Sequence, residues 1–219
     1  AAAWVRDTAL PQPPAEYDTL YAPPEQTGDV GLLSPRPFTY VRGPVAIAGT
    51  ARAAPDQFTL FRVQAGAGLN PTEWLQIGGD RAEMVENGEL QIWDTSGLDG
   101  LYTLQLIVVH SDQSFQTATV QVTVDNQPPT VQLLLPGPDQ TFSKSADESI
   151  ILQADPHDNL SLARVEFMVD GRLVHTATVL PYSTRWRISA PGQHTVWAKA
   201  YDAAGNEAES ARVIVNVGP

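Results

Sequence analysis

Oxygen-bearing side chains are concentrated in two loops in the second half of the chain. Each loop follows a predicted strand, and together they supply five candidate ligands: Asp155, Asp158, Asn159, Asp202 and Asn206. In a two-layer β-sandwich these two loops lie at the same end. Calcium takes six to eight oxygen ligands, mainly carboxylate, amide and carbonyl, so the pattern predicts a calcium site. The alternative is that these residues only close their own turns, because Asp and Asn readily hydrogen-bond to nearby backbone.

The sequence contains no recognisable set of catalytic residues. Acyl transfer by a Ser-x-x-Lys nucleophile needs a serine three residues before a lysine. Thr141 and Val196 occupy that position before Lys144 and Lys199, the only two lysines. A hydrolytic triad needs a positioned serine and histidine, and no histidine lies near a Gly-x-Ser-x-Gly elbow. We therefore expect no catalytic residue, and no cofactor other than the calcium ion.

A second candidate site is an aromatic surface patch. In the strand that follows Gly192, alternation directs Trp197 and Tyr201 away from the core, beside Met168 of the neighbouring strand. Exposed aromatic rings stack on sugars or anchor protein contacts. We therefore expect these three residues to contact glycan or protein. The alternative is that the linker or the other module covers them.

One pattern occurs twice in the chain, at a spacing of 92 positions. Gly100 and Gly192 each open a strand that leads to a polar turn and then to a Val-rich strand. A repeat of this length is typical of tandem modules rather than of a single active-site fold. Tyr102 and His194 occupy the same slot, two residues after the glycine, and we expect a structural role for both.

The chain divides into three regions: a Pro-rich linker at residues 1–33, a first module at 34–126 and a second module at 127–219. Short alternating segments separated by Gly, Pro, Asn and Asp turns predict an all-β fold of two tandem sandwiches. The predicted strands are 45–51, 58–63, 74–77, 90–93, 102–109 and 118–124, then 130–135, 149–154, 163–169, 173–178, 184–188, 194–201 and 212–217. Asp170-Gly171 predicts a type I′ hairpin turn, because both positions need a positive φ.

Composition excludes several classes of partner and site. The formal net charge of −12 argues against nucleic acid and against anionic lipid. There is no cysteine, which excludes disulfides, thiol catalysis and zinc–thiolate sites. No apolar run approaches the ~20 residues that span a bilayer. We read the chain as a segment of an extracytoplasmic bacterial protein whose targeting signal lies outside it.

The joint between the modules is short. Asn126-Gln127-Pro128-Pro129 ends the last strand of the first module and leads directly into the edge strand of the second. So short a connection predicts a limited range of angles between the two modules.

Several segments carry resemblances to known families. In the second module, Val165-Glu166-Phe167-Met168-Val169-Asp170-Gly171 and the turn at residues 202–206 resemble the bacterial Ig-like repeat family. In the first module, residues 43–51, 71–74 and 90–102 resemble a fibronectin III/Ig-like module. The pair, preceded by a Pro-rich stretch with Trp4-Val5-Arg6, resembles the C-terminal region of class A (bifunctional) penicillin-binding proteins.

These resemblances imply a non-catalytic accessory or spacer module of a cell-envelope enzyme that synthesises peptidoglycan. The implied partners are an upstream catalytic domain of the same chain and peptidoglycan or envelope proteins. Two alternatives stay open: a piece of an adhesin or surface-layer array, and the tail of a secreted hydrolase.

Overall fold

Two β-sandwiches in tandem make up residues 28–219, the part of the chain that the structure, a computed structural model, describes. These residues form strands, turns and loops, and no helix among them could cross a membrane. The predicted all-β, two-sandwich architecture is confirmed. The prediction of a linker falls largely on residues 1–27, which lie outside the described residues.

Module 1 consists of eight strands in two facing sheets, in the orders β1-β3-β6 and β2-β8-β7-β4-β5. Its strands are β1 Val30–Ser34, β2 Tyr40–Val41, β3 Pro44–Ala51, β4 Phe58–Ala67, β5 Leu75–Arg81, β6 Val85–Asp94, β7 Gly100–His110 and β8 Phe115–Val124. Alternation builds the core: Phe61, Val63 and Ala65 of β4 are buried, and residues between them are more exposed.

Module 2 repeats this arrangement with the orders β14-β11-β9 and β10-β17-β15-β12-β13, and β16 pairs with β15. Its strands are β9 Thr130–Leu135, β10 Thr141–Ser143, β11 Ser149–His157, β12 Leu162–Val169, β13 Arg172–Ala177, β14 Ser183–Arg187, β15 Gly192–Asp202, β16 Glu207–Glu209 and β17 Val213–Gly218. The alternating residues of β15 that the sequence directs inward are all buried: His194, Val196, Ala198 and Ala200.

The repeated Gly-led strand has the same register in both modules. Gly100 pairs with Val124 at the end of β8, and Gly192 pairs with Val217 near the end of β17. Both glycines have positive φ values, +92° and +134°, and open space where a Cβ would lie. The backbone conformation rather than crowding therefore explains why glycine opens each copy.

Several strand bounds differ from the sequence prediction, and one predicted turn is confirmed. Strand β1 begins at Val30 and pairs with β3, so residues 30–33 belong to module 1 and not to the linker. The short strands β2, β10 and β16 have no alternation signal, because two or three residues are too few to show a period. The type I′ turn is confirmed by φ values of 51° at Asp170 and 80° at Gly171.

Burial predicts that two phenylalanines of module 1 contribute very differently to the free energy of unfolding. Phe61 is fully buried, whereas the side chain of Phe115 is 68% exposed. Phe61→Ala should lower the free energy of unfolding by about 3–5 kcal/mol, because it removes the ring and leaves a cavity. Phe115→Ala should change it by no more than about 0.5 kcal/mol. Urea denaturation of both variants measures the difference, and equal losses would contradict the described core.

Candidate functional site

The ends of several strands meet at the joint between the modules. Strand β9 starts at Thr130, which pairs with His157 at the end of β11. The joint therefore emerges beside the loop between β11 and β12. The turn between β15 and β16 also reaches this end, because Leu162 pairs with Asp202. We call this region, where residue 125 meets the two loops of module 2, the junction.

Asp125 is the module 1 residue at the centre of the junction. It directly follows β8, and its backbone N–H donates to the carbonyl of Val41. Its side chain is 0% exposed. One carboxylate oxygen, Oδ1, accepts a hydrogen bond from the backbone N–H of Gln127 at 3.2 Å. The other, Oδ2, is buried and has no hydrogen-bond partner among the described residues.

Asp158 presents a similar arrangement from the loop between β11 and β12. Its Oδ2 atom accepts hydrogen bonds from the backbone N–H groups of Leu160 at 3.1 Å and Ser161 at 2.7 Å. Its Oδ1 atom is buried, and within residues 28–219 nothing donates to it. One oxygen of the Asp158 carboxylate therefore closes its own turn, as the alternative interpretation of the sequence expected. The second oxygen takes no part in closing the turn.

Asp202 and Asn206 hold the turn between β15 and β16. Both side chains are buried. Asp202 accepts from the backbone N–H of Asn206 at 2.7 Å and from its side-chain amide at 2.6 Å. These bonds fix the Asp202 carboxylate at the end of β15.

The three carboxylates converge. One oxygen from each of Asp125, Asp158 and Asp202 lies within 4.8 Å of the others. Burial raises the pKa of Asp125, and the nearby negative charges raise it further, with Asp202 the largest of them, although the hydrogen bond from Gln127 lowers it. None of the ion pairs formed by the described residues involves these three carboxylates.

Hydrogen bonds cross the junction from one module to the other. Asn206 donates from its amide to the backbone carbonyl of Asp125 at 2.9 Å and accepts from the Arg42 guanidinium at 3.0 Å. Asn159 donates to the carboxylate of Asp99 at 3.3 Å. Both contacts join module 2 side chains to module 1.

Four of the five predicted calcium ligands lie at the junction, and one does not. Asp158, Asp202 and Asn206 come together, and Asn159 lies at the rim through its contact with Asp99. Asp155 was expected in the loop, but it lies within β11, paired with Gln132. Strand β11 is longer than predicted because β9 pairs with it as far as His157, and the exposed Asp155 carboxylate lies 3.9 Å from His157 Nδ1.

Asp125 was missed by the sequence prediction, which considered only module 2. A signal was available, since Asp125 immediately precedes the joint. The joint leads into β9, whose first residue must lie beside the end of β11 in a sandwich of this strand order. The last residues of one module thus face the loops of the next.

The aromatic patch is largely covered. Trp197 points away from the core as predicted, but it is only 7% exposed and lies beneath the Arg212 guanidinium, 4.8 Å from the ring centroid. The chain after β16 covers it, because Ser210 donates its N–H to the carbonyl of Ala198. Tyr201 is half-buried under Arg164, whose guanidinium carbon lies 3.7 Å from the ring centroid. The expectation of an exposed Trp197 is therefore wrong, and a contact role for Met168 and Tyr201 stays a prediction.

His194 is buried between two acceptors, in the slot that Tyr102 fills in module 1. Its Nδ1 lies 2.7 Å from Asp170 Oδ2, and its Nε2 lies 3.0 Å from the carbonyl of Ala190. Carboxylates and carbonyls accept hydrogen bonds, so both contacts are hydrogen bonds at the same time only when both ring nitrogens carry a hydrogen, as in the protonated ring. Burial lowers the pKa of His194, but these two hydrogen bonds outweigh burial and raise it above 6.5.

Both slot residues contact a tryptophan of the opposite sheet edge-on. The rings of Tyr102 and Trp93 are 5.5 Å apart, and those of His194 and Trp186 are 4.9 Å apart. The shared contact explains the shared position of these residues, and it gives both the structural role that was expected.

Comparisons with known proteins agree with this fold. Residues 129–198 match the sequence profile of the family described as Bacterial Ig domain. The chain is 30% identical over 127 residues to "Uncharacterized protein YvnB" of Bacillus subtilis (strain 168), a match that covers 57% of this chain and 9% of that protein. The described fold is similar to the fibronectin(III)-like modules of CbhA from Clostridium thermocellum, with a TM-score of 0.54 and 20% identity, covering 85% of this chain and 92% of that one. Most of module 2 is thus similar to a bacterial Ig domain, and the pair has an Ig/fibronectin III-like fold.

The His194–Asp170 pair predicts a pH-dependent stability of module 2. The pKa of His194 is raised, so the stability it contributes is fully present below about pH 6.5 and is lost as the pH rises through its folded-state pKa. The pKa of Asp170 is lowered from 3.8, because hydrogen bonds from His194 and Thr195 outweigh burial. Its contribution is present above about pH 3.8 and is lost as the pH falls through its folded-state value.

Thermal melting between pH 5 and 9 measures this effect. The wild-type melting temperature should fall as the pH rises above the His194 pKa, and Asp170→Asn should flatten that fall, since the neutral amide no longer favours the protonated ring. His175→Gln is the matched control, because His175 is exposed on β13. A wild-type profile in Asp170→Asn would show that the pair does not couple stability to pH.

Proposed function

We propose that the two modules form a non-catalytic spacer and interaction unit of an extracytoplasmic bacterial protein. Modules with this fold typically serve as accessory, adhesion or spacer domains, and the match to the Bacterial Ig domain family supports that role. The observation that carries the proposal is the pair of hydrogen bonds that Asn206 makes to Arg42 and Asp125 across the joint. A spacer needs such contacts, because they oppose bending between its modules.

The joint itself offers little freedom. Asn126 is bound to module 1 through its side chain, which accepts from the N–H of Gly43 at 2.8 Å and donates to the carbonyls of Thr95 and Leu98 at 2.8 and 2.9 Å. Strand β9 of module 2 begins at Thr130. Only residues 127–129 lie between these two anchored points, and two of them are prolines with a fixed φ.

For the parent protein, we propose a cell-envelope enzyme of the class A penicillin-binding type, in which the modules position an upstream catalytic domain and contact peptidoglycan or envelope proteins. The sequence resemblance described above supports this parent. The chain corresponds to a small part of its long Bacillus relative, so the full-length gene is the direct test. A glycosyltransferase and transpeptidase region before Ala1 is expected. Many further copies of the repeat would indicate an adhesin array, and a hydrolase domain would indicate a secreted hydrolase.

The spacer proposal predicts a narrow distribution of distances between the modules. The chain has no native cysteine, so spin labels can be placed on cysteines introduced at the exposed positions Thr119 and Thr176. Double electron–electron resonance should give one narrow peak. Asn206→Ala should broaden it and lower the free energy of unfolding by about 1–3 kcal/mol, because buried polar partners lose their hydrogen bonds.

Asn216→Ala provides the matched control for this experiment. Asn216 lies on β17 of module 2, and none of its described side-chain atoms takes part in a hydrogen bond of the junction. Asn216→Ala should therefore leave the distribution of distances between the spin labels unchanged. A broad wild-type distribution would contradict the stiff-spacer proposal.

A further inference from the structure

We propose that Asp125, Asp158 and Asp202 form a calcium site that links the two modules at the junction. The site differs from the one predicted from the sequence, because it takes a ligand from module 1 and excludes Asp155. The ion would bind one carboxylate from the end of β8, one from the loop between β11 and β12, and one from the end of β15.

The negative charge of the three carboxylates at the junction favours the binding of a cation. Three carboxylates lie with oxygens within 4.8 Å of one another, and Asp125 and Asp202 are 0% and 2% exposed. Burial removes the water that would otherwise screen their mutual repulsion. Within residues 28–219 the Arg42 guanidinium approaches this end, but its hydrogen bond goes to the neutral amide of Asn206. A divalent cation between the carboxylates would balance their charge.

The unused oxygens are a second and independent observation. Buried polar atoms in folded proteins nearly always have a hydrogen-bond partner. Asp125 Oδ2 and Asp158 Oδ1 are both buried, and no described residue donates to either of them. In each residue the other oxygen is held by backbone N–H groups, which fixes the direction of the free one. The arrangement is that of ligands positioned before the ion binds.

The type and number of donor atoms favour calcium over other metals. All three ligands are carboxylate oxygens, and the chain has no cysteine and no histidine in the group, which disfavours zinc. Magnesium usually keeps several waters and is bound through one or two carboxylates, whereas calcium accepts a larger and more flexible set of protein oxygens, so three converging carboxylates favour calcium. Water and carbonyl oxygens can complete the six to eight ligands that calcium takes.

The turn at Asp202 remains compatible with metal binding. Both of its oxygens accept hydrogen bonds from Asn206, at 2.7 and 2.6 Å. A carboxylate offers about four lone-pair positions, so each oxygen can accept from Asn206 and still bind an ion. Asn206 thus positions the Asp202 ligand and also connects it to Asp125 of the other module.

Calcium titration of the 219-residue chain tests the inference. After treatment with EDTA and dialysis, isothermal titration should show one bound calcium per chain, with a dissociation constant of about 10⁻⁴–10⁻³ M, as in other extracellular modules. The melting temperature should rise by roughly 3–8 °C at about 10 mM calcium. Sodium chloride at the same ionic strength should not reproduce the rise.

Two isosteric variants distinguish calcium binding at the junction from nonspecific binding to acidic residues on the surface. Asp125→Asn should weaken calcium binding at least tenfold, because it removes one charged ligand. In EDTA this variant should melt at or above the wild-type temperature, since it also relieves repulsion, so loss of binding cannot be attributed to unfolding. Asp155→Asn, the matched control three positions from Asp158, should change the affinity less than twofold.

Three outcomes would overturn the inference. They are no calcium response of the wild type, full calcium binding by Asp125→Asn, or an equal response to magnesium. The inference deepens the spacer proposal but does not share its test. Titration reports binding whether or not the joint is stiff, and the spin-label distances report stiffness whether or not calcium binds.

Discussion

One buried amide, that of Asn206, connects the two modules and fixes the turn beside them. Asn206 uses both N–H groups of its side chain, one on the Asp125 carbonyl and one on the Asp202 carboxylate, and its oxygen accepts from Arg42. Aspartate could not replace it, because a carboxylate has no hydrogen to donate and would add a fourth negative charge. Glutamine has the same groups but a longer side chain, which would displace them from partners held at 2.6–3.0 Å. The requirement for two donors and one acceptor at a short reach selects asparagine.

The two modules share a backbone plan and differ in chemistry. In both modules, a glycine with positive φ begins a strand (β7 or β15) and pairs with a residue at or near the end of the module's last strand (β8 or β17). The aromatic ring two residues after that glycine contacts a tryptophan of the other sheet. Module 1 fills that slot with Tyr102. Module 2 fills it with His194, whose two nitrogens both need acceptors and obtain them from Asp170 and Ala190. Module 2 thus adds the pair of His194 and Asp170 to a ring contact that both modules share.

Alternation was sufficient to predict the fold, because a half-buried strand shows its buried face directly in the sequence. Part of each long strand and the inward face of β15 follow from this period, although β4 and β6 extend beyond the predicted 58–63 and 90–93. Alternation does not predict which neighbouring segments cover the outward face of a strand. Trp197 points outward as alternation requires, yet the segment around Ser210 and Arg212 crosses it, and that crossing depends on where a short strand ends. The short strands and the exact end of β11 were missed for the same reason, since their partners rather than their own residues determine them.

The candidate site shows why composition alone could not distinguish a turn from a metal ligand. The turn between β7 and β8 of module 1 corresponds to the turn between β15 and β16 of module 2, and it also carries an acidic residue. Asp112 in that turn accepts hydrogen bonds from the N–H and hydroxyl of Ser114 at 2.9 and 2.6 Å. These hydrogen bonds lower the pKa of Asp112, which is exposed, and its charge is solvated. Asp125, which is buried at the junction, has a pKa shifted in the opposite direction, chiefly by that burial. The residue types at the two ends are alike, and what distinguishes the carboxylates of the junction from ordinary turn residues is that they converge and that Asp125 and Asp202 are buried.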